Sequence, residues 1–161
     1  MTDKTANPRS SRPRAFFSRE EQALIAAAIH DAEMKCSGEI RCHLEHKVPR
    51  NRPFNGDPYL RARGLFARIG MHETLERNGV LFYLATGSRR FAVLGDEELH
   101  KKVGEEFWRQ AAELMDGEFK AGRFVEGLTA AIALVGAQLS EHFPRKSDDV
   151  NELPDTISFQ E

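Results

Sequence analysis

Arg50, Arg52, Ser88, Arg89 and Arg90 stand on two short polar stretches of this sequence. Phosphate or carboxylate is the chemistry such a set would grip. A guanidinium presents paired donors in a fixed fork, and the glycine in Thr86-Gly-Ser-Arg89 adds backbone N–H groups to a turn. His46, Asn51 and Asn55 share the first stretch with Asp57. Asp57 is the carboxylate there that could hold a divalent ion or move a proton. A second set is acidic: Asp96, Glu97 and Glu98, with Glu39 nearby in the expected fold and His100 two residues on. Oxygen donors at this density suit calcium. The same Asp-Glu-Glu order suits the start of a helix, where anions offset unpaired N–H groups, and both readings stand. A third set, Asp148, Asp149 and Glu152, lacks the glycine and spacing of an EF-hand loop and reads as a solvated tail. Leu153, Ile157 and Phe159 could dock that tail on the body or on a partner. No Gly-x-Ser-x-Gly elbow is present and the six histidines are scattered, so no nucleophile constellation is legible.

The elements that must carry these sets follow from periodicity. Residues 39–46 alternate, as a half-buried strand does, and residues 79–85 are apolar throughout, as a central strand covered on both faces is. Residues 90–94 return the chain antiparallel after the turn. On the first strand, Cys42 shares a face with Ile40 and Leu44 and is expected to be a buried thiol, whereas His43 lies between Arg41 and Glu45 and reads as a surface group. Ser18-Arg-Glu-Glu21 has the form of a capping box. It opens a helix with Leu24, Ile25, Ala28, Ile29 and Ala32 on one face, ended by Ser37-Gly38. Further helices are expected over 59–69, over 97–103 with Gly104 as an interruption, around Phe107–Met115, and over 124–142. Strand, helix, strand predicts a parallel crossover. The result is an α/β layered domain, a small mixed sheet with helices on both faces. The ligand edge of such a sheet lies at the carboxyl ends of its parallel strands, where the arginine set falls.

A chain of 161 residues is one domain's worth. Residues 1–16, basic and rich in Ser, Thr and Pro, read as a disordered arm; 17–143 form the domain; 144–161 form an acidic tail. A net charge of −2 argues against nucleic-acid binding. The longest apolar run, residues 128–139, is shorter than the roughly 20 residues a membrane span needs, and two cysteines make no disulfide framework. A soluble, cytoplasmic protein without membrane insertion is expected.

The sequence resembles the TPM domain, a module shared by a thylakoid acid phosphatase, a photosystem II repair protein and a nematode receptor modulator. The likeness spans residues 17–143. It rests on Ser37-Gly-Glu-Ile-Arg41, on Asn78-Gly-Val-Leu-Phe82, on the basic hairpin, and on Phe119-Lys-Ala-Gly-Arg-Phe-Val-Glu-Gly127. The resemblance implies a mixed sheet between helices. It also implies either a non-catalytic module that assembles or maintains other proteins, or a calcium-linked acid phosphatase acting on phosphate monoesters. The family's turn often reads Asp-Asp-Arg; here only Arg89 of Thr86-Gly-Ser-Arg89 carries over. The leading expectation is therefore a binding module with a protein partner. In the alternative, Asp57 is catalytic, Arg50, Arg52, Ser88, Arg89 and Arg90 bind phosphate, and Asp96, Glu97 and Glu98 hold calcium.

Overall fold

The computed structural model describes residues 9–147 and 156–160. The strands are β1 (Ile40–Glu45), β2 (Val80–Ala85), β3 (Arg90–Gly95) and β4 (Ser158–Gln160), ordered β3-β2-β1-β4. β1 and β2 are parallel, β3 runs antiparallel to β2, and β4 runs parallel to β1. The helices are α1 (Pro13–Phe16), α2 (Arg19–Glu33), α3 (Pro58–Arg68), α4 (Glu97–Lys120) and α5 (Phe124–His142), with a short 3-10 turn at Met71–Glu73.

Two hydrophobic layers hold the sheet. Ile40, Cys42, Leu44, Phe82 and Val93 meet α2, α4 and α5 on one face. Leu81, Tyr83, Ala92 and Leu94 meet Ala62, Leu65 and Phe66 of α3 on the other. All six residues of β2 are buried, as its continuous apolar run requires. The capping box at Ser18 forms in full, with Ser18 Oγ accepting from Glu21 N and Glu21 returning to Ser18 N. Gly104 interrupts α4 at φ 76°, a left-handed conformation natural to glycine. No helix of the described residues is long and apolar enough to cross a membrane.

Two expectations are corrected, and one is resolved. Residues 9–16 are packed rather than a loose arm: Arg9 makes paired hydrogen bonds to Glu21 at 2.9 and 3.0 Å, and Phe16 is buried in the core. A polar composition concealed one arginine with a carboxylate partner and one phenylalanine with a core to join. The rest of the expected arm, residues 1–8, lies outside the described residues. His43 is buried, not a surface group, because α3 and β4 close the face it occupies. Of the two docking places expected for the tail, the body is the one seen: Ile157 and Phe159 pack on the core and the tail contributes β4 to the sheet. Its acidic stretch, with Asp148, Asp149 and Glu152, lies outside the described residues.

Candidate functional site

The hairpin turn is tied to the end of β1. Thr86 N donates to Glu45 O at 2.8 Å, and Gly87 N and Ser88 N both donate to His46 O, at 2.6 and 3.1 Å. A Cβ at Gly87 would collide with the His46 ring and its carbonyl oxygen, so only glycine lets the turn lie this close. Ser88 Oγ accepts from Val48 N at 3.0 Å and fastens the turn to the next loop. Arg89 takes a left-handed conformation at φ 56°, and its guanidinium lies 5.8 Å from the centre of the Phe124 ring. The two parallel strands thus place the turn and the 46–57 loop side by side.

Two hollows open at this edge, and Arg90 lines both. The wider one, about 810 Å³, is polar and carries Lys47, Arg50, Ser88 and Arg90. The smaller one, about 190 Å³, is mostly apolar: Phe16, Leu84, Phe91, Phe119 and Phe124 line it, together with the charged Arg89, Arg90, Asp116 and Lys120. Phe119 stacks edge-on against Phe91 at 5.2 Å and lies 5.4 Å from Phe124, so the wall is held by its own rings. Lys120 is paired with Asp116 at 2.8 Å. Arg89 and Arg90 are exposed and have no carboxylate partner among the described residues. The aromatic hollow therefore carries two guanidinium groups without a carboxylate ion pair among the described residues, and its one carboxylate, Asp116, is paired with Lys120.

The sequence-predicted residues divide accordingly. Arg50, Ser88 and Arg90 come together in the wide hollow, and Arg89 and Arg90 in the aromatic one, while Arg52 is exposed and lines neither. Asp57 is the N-cap of α3: its Oδ1 accepts from Tyr59 N at 2.8 Å and Leu60 N at 3.3 Å. Asp57→Ala is expected to cost about 1 kcal/mol of stability in chemical denaturation, with Asp57→Asn near neutral because asparagine caps equally well. Asp96 caps α4 through Oδ1 and Glu97 N at 2.7 Å, and Glu97 and Glu98 both pair with Lys101 at 3.3 and 3.1 Å. Calcium asks for about six to eight oxygens. These three carboxylates, one turned to a backbone amide and two to a lysine, do not fit it as placed. Among the described residues no group of three or more acidic, histidine or cysteine side chains is arranged around one point.

Both thiols are buried, and burial pushes Cys36 up to about 11 and Cys42 up to about 12, which favours the protonated thiol over the thiolate. The aromatic wall went unread in the sequence. Its signal was the pair of phenylalanines, Phe119 and Phe124, flanking Lys120-Ala-Gly-Arg123; Phe16 and Phe91 arrive only through the fold.

Comparison with known proteins follows the same architecture. The TPM domain matches residues 11–138. The solved NMR structure of the BA42 protein from the psychrophilic bacterium Bizionia argentinensis is similar, with 38% identity, 94% of this chain and 100% of that chain covered, and a TM-score of 0.82. No curated protein matches the chain.

Proposed function

We propose that this chain, which belongs to the TPM domain family, is a non-catalytic binding module that docks on other proteins through an apolar group joined to a phosphate or carboxylate. The aromatic hollow that Arg89 and Arg90 help to line carries this reading. Burying one ring there is worth about 1.5–3 kcal/mol, and a charge-assisted hydrogen bond adds about 1.5–3 kcal/mol. Together these support recognition at the level of a single side chain, strengthened by whatever surface the partner adds around it. The buried thiols Cys36 and Cys42 support a reducing compartment, and we place the protein in the cytoplasm.

Phenyl phosphate is the simplest probe. Calorimetric titration is expected to give a Kd of about 1 mM or tighter, with inorganic phosphate at least about tenfold weaker because it forgoes the ring. Arg89→Glu should reduce phenyl phosphate affinity at least about tenfold. Equal affinity for the two ligands, or an unchanged Kd in Arg89→Glu, would refute the assignment.

A second reading, a phosphatase acting on phosphate monoesters, draws on Arg50, Ser88 and Arg90 in the wide hollow. Asp57 holding the start of α3 weighs against its being the catalytic group. Turnover of p-nitrophenyl phosphate with calcium that falls in Asp57→Asn, a variant that keeps the cap, would favour this reading over the first.

A further inference from the structure

The order β3-β2-β1-β4 leaves β3 at the edge of the sheet away from β4. Asp96 N donates to Gly79 O at 2.8 Å across the β2–β3 pair, which fixes the phase of that ladder. Residues of an antiparallel pair alternate between facing the partner strand and facing away. Asp96, Leu94 and Ala92 therefore turn their main-chain groups towards β2, and Gly95, Val93 and Phe91 turn theirs outward. Among the described residues no hydrogen bond reaches those outward groups. The edge is accessible as well: Val93, Leu94 and Gly95 line a hollow of about 610 Å³ together with Tyr59 of α3 and Trp108 of α4. Open edges are commonly blunted by proline, by a bulge or by charge within the strand. Residues 91–95 are Phe-Ala-Val-Leu-Gly in unbroken register with β2 and carry none of these. Charge stands at the two ends instead, and its sign reverses along the edge. Arg89 and Arg90, both exposed, precede the stretch; Asp96, Glu97 and Glu98 follow it.

We infer that the β3 edge is the docking surface for a second copy of this chain, paired antiparallel about a two-fold axis at Val93. An edge whose charge reverses from one end to the other is complementary to its own antiparallel image. An axis at Val93 sets that residue opposite its counterpart and sets Phe91 opposite Gly95 of the second copy. Every outward amide and carbonyl then meets one of the opposite kind. The same register carries Arg90 to Asp96 and Arg89 to Glu97 of the second copy, and the symmetry repeats each pair. Sliding the strands by two residues in either direction puts Gly95 against the hairpin turn or Phe91 against the start of α4, and loses hydrogen bonds. Complementary charge thus selects both the partner and the register. Glu97 is exposed and shared with Lys101 at 3.3 Å, a contact weak enough to be exchanged. The two four-stranded sheets become one. A pairing of single strand edges belongs to the small, weak class of interfaces. Arg89 and Arg90 also line the aromatic hollow, but the inference does not rest on what that hollow binds.

The test is sedimentation velocity of the full chain over about 10–500 μM, with two charge reversals, Arg89→Glu and Glu97→Lys. The parent is expected to pass from monomer to dimer with a Kd of about 100 μM or tighter. Each reversal alone sets like charges against each other at both ends of the pairing and should weaken the dimer at least about tenfold. An equal mixture of the two variants restores both opposite-charge pairs and should dimerise as the parent does, which also shows that both variants fold. A parent that stays monomeric throughout would overturn the inference, leaving the edge without a second copy. A dimer indifferent to both reversals, or a mixture no tighter than its components, would overturn it too, because another face would then hold the copies together. Phenyl phosphate binding to monomeric Glu97→Lys tests the aromatic hollow separately, so either assignment can fail without the other.

Discussion

Glu45→Gln is expected to lower the unfolding free energy by about 3–5 kcal/mol. Glu45 and Arg61 are both buried, with side chains 6% and 8% exposed. They meet through two hydrogen bonds, at 3.0 and 2.7 Å, and Tyr83 OH donates to the same carboxylate at 2.6 Å. Burial and the Glu45 carboxylate both push Tyr83 ionisation far up, so the phenol stays a donor at any ordinary pH. The Arg61 guanidinium also lies 4.8 Å from the centre of the Phe54 ring, in the loop before α3. Glutamine keeps the shape and removes the charge, leaving a buried cation unbalanced. The double substitution Glu45→Gln/Arg61→Met should recover most of the loss, since an apolar replacement of both partners removes the desolvation cost as well. Urea denaturation of the two variants measures both quantities. A loss below about 1 kcal/mol in Glu45→Gln would mean that the pair is solvated in solution.

His43 sets the second large effect. Burial holds its pKa at about 4 rather than the ordinary 6.5; Glu45 opposes that shift, and Arg61, Arg41 and Arg68 add to it. The unfolded chain therefore takes up a proton at a pH where the folded chain does not. The neutral imidazole's contribution to stability is whole above about pH 6.5 and is lost as the pH falls through 6.5 towards 4. The gap corresponds to about 3 kcal/mol. His43→Asn, which can still meet Ser158 through its amide, should flatten that part of the profile. The difference in unfolding free energy between parent and variant should change by about 3 kcal/mol between pH 7 and pH 4. A constant difference over that range would show that the imidazole is hydrated and titrates freely.

These two residues also show where sequence reasoning reached its limit. The alternation of β1 located Arg41, His43 and Glu45 on one face and Ile40, Cys42 and Leu44 on the other, and the pairing with β2 agrees with it. Alternation alone treats the polar face as wet. Here α3 covers that face, supplying Arg61 to Glu45, and β4 supplies Ser158 to His43. Neither partner is near in sequence, at separations of 16 and 115 residues, so no local pattern announces them. Caps at Ser18 and Asp96 were legible because their chemistry is local, each bonding within three residues of itself; the cap at Asp57 is equally local but was read only as a site carboxylate. That same locality explains why Asp57 and Asp96 drew attention as site candidates, since a capping carboxylate and a catalytic one look alike in a sequence. The arginine edge was legible from the order of the strands, because the carboxyl ends of β1 and β2 must face the same way in a parallel pair. The aromatic wall was not, because Phe16, Phe91 and Phe124 come from three separate elements that meet only after the helices close over the sheet.

The recognition of an apolar anion at the hairpin edge is tested most directly by amide NMR of the full chain titrated with phenyl phosphate. The shifts should concentrate on residues 86–91 and 119–124, the turn and the aromatic wall, and saturate together. Shifts confined to the Asp96–Glu98 end of the sheet, or none that saturate, would contradict the account.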